Sequence, residues 1–167
     1  KLVLLDVSEL ALYQIERELR DVADFALVAE LGSVTDRRLV ESVFSRHRVE
    51  TVYHCAAYKH VPIIEDNPLV GISNNIFGTD CIASTAFTSG ANNFVLISTD
   101  KAVRPSSVMG ATKRWSELLV RHYGTMAEKA GKGQVFSSVR FGNVLGSNGS
   151  VVPLFREQIA RGGPITL

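Results

Sequence analysis

Long apolar runs and blocks of like charge are both missing from this chain of 167 residues. No apolar run approaches the roughly 20 residues that a membrane-spanning helix needs, and the first residues lack the charged-then-apolar pattern of a signal peptide. The net charge is only +1, and no basic run exceeds a pair such as Arg37-Arg38. We therefore expect no nucleic-acid binding and no membrane contact from this segment, and any anionic ligand must be bound locally.

Cysteine is also scarce, since only Cys55 and Cys81 are present. Both stand in apolar surroundings without the spacing of a metal site, so no metal is expected. Buried free thiols in the reducing cytosol are favoured over a disulfide, which predicts a cytoplasmic protein. The composition, 46% apolar and 21% charged, is that of one globular domain with enough apolar material for a core.

Apolar runs of strand length alternate with stretches of helical periodicity, which predicts a doubly wound α/β fold with a parallel sheet. The predicted strands cover 2–5, 25–29, 51–57, 94–98 and 134–144, and the predicted helices run over about 8–20, 35–47, 67–89, 109–129 and 150–161. In the helix that begins at Met109, apolar spacing predicts a packed face formed by Trp115, Leu118, Leu119 and His122.

The strand that begins at Phe94 carries Ser98-Thr99-Asp100-Lys101 to its carboxyl end, and a loop leads from there to Met109. In open parallel sheets, ligands bind at that edge. Met109 and Lys113 are one helical turn apart, so both side chains can face the same cleft. An acid and a base beside a cation indicate acid–base chemistry at this edge.

Four strings of residues resemble the extended short-chain dehydrogenase/reductase superfamily, and within it the nucleotide-sugar 4,6-dehydratases of polysaccharide biosynthesis. They are Ala57-Tyr-Lys-His-Val-Pro62, Ser98-Thr-Asp-Lys-Ala102, Met109-Gly-Ala-Thr-Lys-Arg114 and Arg140-Phe-Gly-Asn-Val144. That branch acts on UDP-N-acetylglucosamine, and the resemblance covers nearly the whole chain. One departure is that the superfamily usually has Tyr where Met109 stands.

The resemblance implies a Rossmann-type NAD-binding domain over residues 1–145 and the start of a smaller substrate-binding region over 146–167. The first strand of such a fold and its glycine-rich turn are absent from this sequence. In the usual strand order, the first strand lies between the strands that begin here at Leu2 and Thr51. We therefore expect a partial domain that belongs to a longer protein.

NAD is the cofactor that the resemblance implies. Asp6 closes the strand at which such folds place a carboxylate, where it binds the adenosine ribose and repels the 2′-phosphate of NADP. This favours NAD over NADP, although Asp6 could instead only cap the next turn. The other implied cofactor contacts are Ser33 and Val34 at the adenine, and Ala56, Ala57 and Lys113 at the nicotinamide ribose.

The implied reaction removes hydride from carbon 4 of the sugar, eliminates water across carbons 5 and 6, and returns the hydride to carbon 6. It needs a base at carbon 5, an acid for the departing hydroxyl and a group at the 4-hydroxyl. We assign Lys101 as the carbon-5 base, Asp100 as the acid, and Thr99 or Ser98 as the hydrogen bond at the 4-oxygen. Lys101 acts as a base only in its neutral form, which burial beside Lys113 and a bound cofactor would favour.

The resemblance also implies a UDP-sugar substrate, and we expect a homo-oligomer. The expected substrate contacts are Lys59, His60, Asn75, Asn143, Ser150 and Val151. For Asn75 the alternative is a solvated polar position, and for Ser150 it is a surface loop cap. His54 is expected to be a satisfied strand-end histidine. The complete protein is expected in the cytoplasm, or at the cytoplasmic face of the inner membrane.

Two other functions remain open at this point. Because Met109 cannot take a proton, the chain could be a catalytically inactive dinucleotide-binding module. A nucleotide-sugar epimerase or reductase is the second alternative, and it needs neither an acid nor a base at this strand end. The presence of both Asp100 and Lys101 favours the dehydratase.

Overall fold

The computed structural model describes residues 1–144 and 151–165, in which parallel strands alternate with helices. The strands are β1 (Leu2–Asp6), β2 (Leu27–Leu31), β3 (Thr51–His54), β4 (Asn93–Thr99) and β5 (Val135–Phe141). The helices are α1 (Glu9–Arg20), α2 (Arg37–His47), α3 (Val61–Asp66), α4 (Pro68–Ile72), α5 (Gly78–Ser89), α6 (Val108–Lys129) and α7 (Val151–Ala160).

The strands form two parallel sheets. One sheet pairs β1 with β2, and the other has the order β3-β4-β5. Thr51 and Val135 both lie opposite Asn93, so the three strands of the second sheet start level with one another. Within the described residues β1 does not pair with β3, and this is where the sequence analysis places the missing strand. The parallel pairing confirms the predicted α/β fold.

The apolar core lies around the central strand β4. Phe94 and Leu96 are fully buried there, whereas Val95 and Ile97 are partly accessible, as the alternation of a strand requires. Buried side chains from three helices pack against them, namely Val40 and Phe44 of α2, Ile82, Ala83 and Ala86 of α5, and Val120 of α6. The core therefore holds the strand whose carboxyl end carries the predicted catalytic residues.

The helix predicted after Asn67 is interrupted by a π-helical turn, Ser73–Phe77, which joins α4 to α5. Other boundaries also differ from prediction. β3 ends at His54 rather than at Ala57, and β5 ends at Phe141 rather than at Val144. β2 begins at Leu27 rather than at Phe25, whose side chain is largely exposed. Asp36 rather than Thr35 caps α2, because its Oδ1 accepts the Leu39 amide at 3.1 Å.

The predicted packed face of α6 is wrong. Trp115 is 57% exposed and Leu118 is 41% exposed. The face that α6 buries instead is largely polar and includes Thr112, Lys113, Ser116 and Glu117. These polar side chains find partners inside the protein, so hydrophobic periodicity does not reveal which face is buried.

The predicted division between residues 145 and 146 lies at the edge of a stretch outside the described residues, so the domain boundary stays a prediction. In residues 1–144 and 151–165, no helix combines the length with the apolar character that crossing a bilayer requires.

Candidate active site

A cavity of about 440 Å³ lies at the carboxyl ends of β3, β4 and β5. Nine of the predicted site residues line it: Ala57, Lys59, His60, Ser98, Thr99, Lys101, Met109, Lys113 and Asn143. Three of these are lysines, and the described residues that line the cavity include no carboxylate. The cavity therefore favours an anionic ligand.

Thr99, Asp100 and Lys101 form a compact hydrogen-bonded turn at the end of β4. Thr99 Oγ1 accepts the Lys101 amide at 3.3 Å and donates to Asp100 Oδ1 at 3.0 Å. Lys101 Nζ lies 3.4 Å from Asp100 Oδ1 and 3.4 Å from Asn143 Oδ1 at the end of β5. Asp100 does not itself line the cavity, but both of its side-chain partners do.

Hydrogen bonding keeps the Asp100 carboxyl ionised. The bond from Thr99, aided by Lys101, lowers the pKa of Asp100 below its usual value. The side chain of Lys101 is 46% exposed, so the burial that the sequence analysis expects for Lys101 is not found. The buried lysine of the cavity is Lys113.

Lys113 donates from Nζ to the Ile97 carbonyl of β4 at 2.7 Å. Burial lowers the pKa of Lys113 to about 8, although Cys55 and Glu117 act in the opposite direction.

Cys55 lines the cavity and is exposed, not buried as expected. His54 is buried against Thr79 at 3.0 Å, and burial lowers its pKa to about 3, so it is neutral, as a satisfied strand-end histidine should be.

The first turn of α6 is fixed against the Lys101 turn. Ser107 caps the helix by accepting the Gly110 amide at 3.1 Å, and Glu65 of α3 accepts the Val108 amide at 2.6 Å. A Cβ atom at Gly110 would lie 2.5 Å from the Lys101 carbonyl oxygen. Only glycine allows this approach, which sets the position of Met109 and Lys113 relative to Lys101.

We expect Gly110→Ala to destabilise the protein by about 1–3 kcal/mol, because a backbone oxygen cannot rotate away from the added methyl group. Gly124→Ala in the same helix is the matched control, since its Cβ would meet Phe136 Cβ at 3.4 Å. The control gains the helix propensity of alanine, worth about 1 kcal/mol, without such a clash. Urea unfolding of both variants measures the difference, and equal stability would show that α6 approaches Lys101 less closely than described.

Asn75 lies in the π-helical turn and is only 1% exposed. Its Oδ1 accepts the Tyr58 amide at 2.8 Å, and its Nδ2 donates to the Tyr58 carbonyl at 3.0 Å and to Thr112 Oγ1 at 3.0 Å. Asn75 therefore clamps the backbone just before Lys59 and does not line the cavity. The geometry gives Asn75 a positioning role, and a direct substrate contact stays a prediction.

Glu117 has no place in the sequence analysis, yet it collects four hydrogen bonds beneath the cavity. Ser98 Oγ and Arg140 Nε donate to Oε1 at 2.7 and 2.8 Å, and Arg140 Nη2 and Arg114 Nη1 donate to Oε2 at 2.8 and 2.9 Å. Burial alone would raise the pKa of Glu117, but these bonds lower it to about 2. Its position four residues after Lys113, on a polar face of helical period, is the signal that could have found it.

The predicted adenosine contacts lie on the other sheet. Asp6 is exposed at the end of β1, and its Oδ1 accepts the Ser8 amide at 2.7 Å. Ser33 Oγ lies 2.8 Å from Thr35 Oγ1 in the turn after β2. The Val34 side chain is buried in the core. Ala56, which is predicted at the nicotinamide ribose instead, follows β3 and packs against the same core. Their cofactor contacts stay predictions. Ser150 lies outside the described residues, as does the side chain of Val151.

Parallel strands with a cavity at their carboxyl ends are typical of a Rossmann-type doubly wound fold. A family profile described as "Polysaccharide biosynthesis protein" matches residues 1–167. The chain belongs to this polysaccharide biosynthesis family, which confirms the resemblance drawn from the sequence.

Individual relatives agree with this assignment. The chain is 43% identical to the "Probable polysaccharide biosynthesis protein EpsC" of Bacillus subtilis, covering 100% of this chain and 27% of that protein. It is 42% identical to a "UDP-N-acetylglucosamine 4,6-dehydratase (inverting)" of Campylobacter jejuni, covering 81% of this chain and 40% of that protein. The X-ray structure of Pen from Bacillus thuringiensis superposes with a TM-score of 0.88 at 33% identity, covering 99% of this chain and 51% of that one. The chain thus spans less than half of the two curated relatives and about half of the Pen chain.

Proposed function

We propose that this chain carries catalytic residues of a nicotinamide-dependent nucleotide-sugar 4,6-dehydratase, which converts UDP-N-acetylglucosamine to a UDP-4-keto-6-deoxy sugar. The observation that carries the proposal is the placement of Thr99, Lys101 and Lys113 around one cavity, with Asp100 hydrogen bonded to the first two. The lysine-rich lining suits a diphosphate-linked sugar. The relative named as a UDP-N-acetylglucosamine 4,6-dehydratase supports the same substrate class.

The residues present fit a nicotinamide dinucleotide. Lys113 and the small side chain of Ala57 line the cavity, which suits a nicotinamide ribose. Asp6 presents an exposed carboxylate whose Oδ2 has no hydrogen-bond partner among the described residues, which suits the adenosine ribose hydroxyls. When bound, the cofactor accepts hydride from carbon 4 and returns it to carbon 6.

Asp100 and Thr99 supply a route for the proton of the 4-hydroxyl that does not need the missing tyrosine. Ser98 also donates to a carboxylate, but Glu117 already accepts three guanidinium hydrogen bonds and its pKa is lowered to about 2, so Glu117 is a poor proton acceptor. This favours Thr99 as the group for the 4-oxygen. Thr99 Oγ1 accepts the 4-hydroxyl proton and passes its own proton along the existing 3.0 Å bond to the ionised Asp100. The carbon-4 ketone forms, and Asp100 becomes the protonated acid that the next step requires.

Elimination then uses both ends of the Asp100–Lys101 pair. Protonation of Asp100 in the first step removes the negative charge beside Lys101, and the bound sugar and cofactor would cover its half-exposed side chain, both of which favour neutral Lys101. In that form Lys101 takes the proton from carbon 5 while Asp100 gives its proton to the 6-hydroxyl, which leaves as water. After hydride returns to carbon 6, Lys101 gives a proton back to carbon 5. Each residue ends in its starting state, so protons and charge balance over the cycle.

The complete protein, incubated with NAD and UDP-N-acetylglucosamine, should give a product lighter by one water, detected by mass spectrometry. A product of unchanged mass with inverted carbon 4 would indicate an epimerase. Tight NAD binding without any product would indicate an inactive binding module. Either result would exclude the dehydratase.

Asp6 should make the protein bind NAD more tightly than NADP, because its charge repels a 2′-phosphate. We expect Asp6→Ala to narrow that preference several-fold, whereas Glu9→Ala, which removes a carboxylate from the first turn of α1, should leave it unchanged. Titration calorimetry with both dinucleotides measures the ratio. Equal affinity of the unmodified protein for the two would remove Asp6 from this role.

A further inference from the structure

The Glu117 carboxylate connects three elements that line the cavity. Glu117 lies on α6 and is 7% exposed. Its partner Ser98 lies on β4, and Arg140, which binds both carboxylate oxygens, lies on β5. The four donors use both oxygens, so the side chain is held in one position.

Each connected element continues directly into cavity residues. Ser98 is followed by the Thr99-Asp100-Lys101 turn. Arg140 lies three residues before Asn143, whose Oδ1 meets Lys101 Nζ at 3.4 Å. Lys113 lies one helical turn before Glu117 itself. A shift of the carboxylate would therefore move all three groups relative to one another.

Apolar packing does little to hold the far end of β5. Val139 and Phe141 are both exposed, as are Ser138 and Arg140. Beyond the backbone ladder with β4, the bidentate Arg140–Glu117 pair is the polar contact that ties this strand end to α6. Such planar two-bond pairs give geometric specificity as well as energy.

We propose that Glu117 is a positioning residue that holds the ends of β4 and β5 against Lys113 and supplies the negative charge that faces its ammonium group. Among the described residues, the other ionisable groups beside Lys113 or lining the same cavity are His54 and Cys55 at the end of β3, Tyr58, Lys59 and His60 in the loop that follows, and Lys101. Glu117 is ionised throughout the range in which Lys113 titrates. Without its charge, burial and the guanidinium groups of Arg114 and Arg140 would all oppose protonation of Lys113.

The inference rests on the proposed function for the role of Lys113, but the charge of Lys113 is measurable without turnover. The test is competitive labelling of the complete protein with acetic anhydride over a pH series, with the extent of Lys113 acetylation read by mass spectrometry. In Glu117→Gln the labelling midpoint of Lys113 should move to lower pH than in the unmodified protein, where burial places it at about 8.

Two further variants distinguish the effect of the Glu117 charge on Lys113 from a general loss of structure. Arg140→Ala keeps the Glu117 charge and removes a compensating guanidinium, so the Lys113 midpoint should move in the opposite direction, to higher pH. Because the Arg140 side chain is 43% exposed, this variant keeps the inference testable even where Glu117→Gln fails to fold. Tyr123→Phe is the control for a lost hydrogen bond elsewhere on α6. It removes the bond that Tyr123 Oη donates to Asp80 Oδ1 at 2.6 Å, and it should leave the labelling midpoint of Lys113 unchanged.

An unchanged midpoint in both Glu117→Gln and Arg140→Ala, or a shift in the same direction in both, would overturn the inference. So would an equal shift in Tyr123→Phe. If the protein proves to have no dehydratase activity, the labelling series still gives its answer, so failure of the proposed function and failure of this inference are distinguishable.

Discussion

Lys101→Ala should abolish product formation while leaving the first hydride transfer detectable as absorbance of reduced cofactor. Loss of one acid–base group typically costs about 10²–10⁴-fold in rate. In heavy water the unmodified protein should place deuterium at carbon 5 of the product, because the proton on the half-exposed Lys101 exchanges with solvent. Lys101→Ala should lose this exchange, and Lys129→Ala at the end of α6 should behave like the unmodified protein.

Asp100→Ala should differ from Lys101→Ala at the first step, the transfer of hydride from carbon 4. Because ionised Asp100 receives the 4-hydroxyl proton through Thr99, this variant should form little reduced cofactor and little product. Deuterium exchange at the unmodified rate in Lys101→Ala would remove Lys101 from the base role. Asp100, or a residue outside this segment, would then be the carbon-5 base.

Lys113→Ala should lose at least about a hundredfold in turnover, whereas Met109→Leu should keep most of the activity, because a thioether has no proton to give or take. Leucine is used because Met109 is buried, and truncation to alanine would cost about 2–5 kcal/mol of stability. A volume-conserving change costs less than about 1.5 kcal/mol. A hundredfold loss in folded Met109→Leu would show that the sulfur has a role of its own.

Lys113 also predicts the alkaline limb of the pH–rate profile. Burial lowers its pKa to about 8, so the ammonium group that would hold the cofactor ribose is lost as the pH rises through about 8. The same lowered pKa affects stability. As the pH rises from about 8 to the usual lysine range, the free energy of unfolding should increase, because the unfolded chain binds a proton there that the folded protein does not. Lys113→Arg should remove the alkaline limb, because a guanidinium group stays charged.

The parallel strands and the start of α1 could be predicted because apolar patterning and capping agree there. Ser8 caps α1 as expected, accepting the Ala11 amide at 3.3 Å. The strand end with Ser98-Thr-Asp-Lys101 and the shared cavity of Met109 and Lys113 also follow from spacing alone. In these places the buried positions are apolar or lie at a strand end, so hydrophobic periodicity is sufficient to predict the elements and the edge of the sheet that carries the site.

The buried side of α6 could not be predicted in this way. Thr112, Ser116 and Glu117 are polar, and periodicity assigns polar positions to solvent. Their burial depends on partners distant in sequence, such as Asn75 and Arg140, which a single sequence does not pair with them. The same applies to Asn75, whose clamp on Tyr58 requires the π-helical turn.

Trp115 is the single tryptophan of the chain, and its exposed position on α6, two residues after Lys113, makes it a fluorescence probe. Its emission should already be that of a water-exposed indole in the folded state, so unfolding alone should change its wavelength little. Aqueous quenchers such as iodide should reach it freely. A surface that covers this side of α6, including that of a second copy of the protein, would therefore be seen as a blue shift and as protection from quenching.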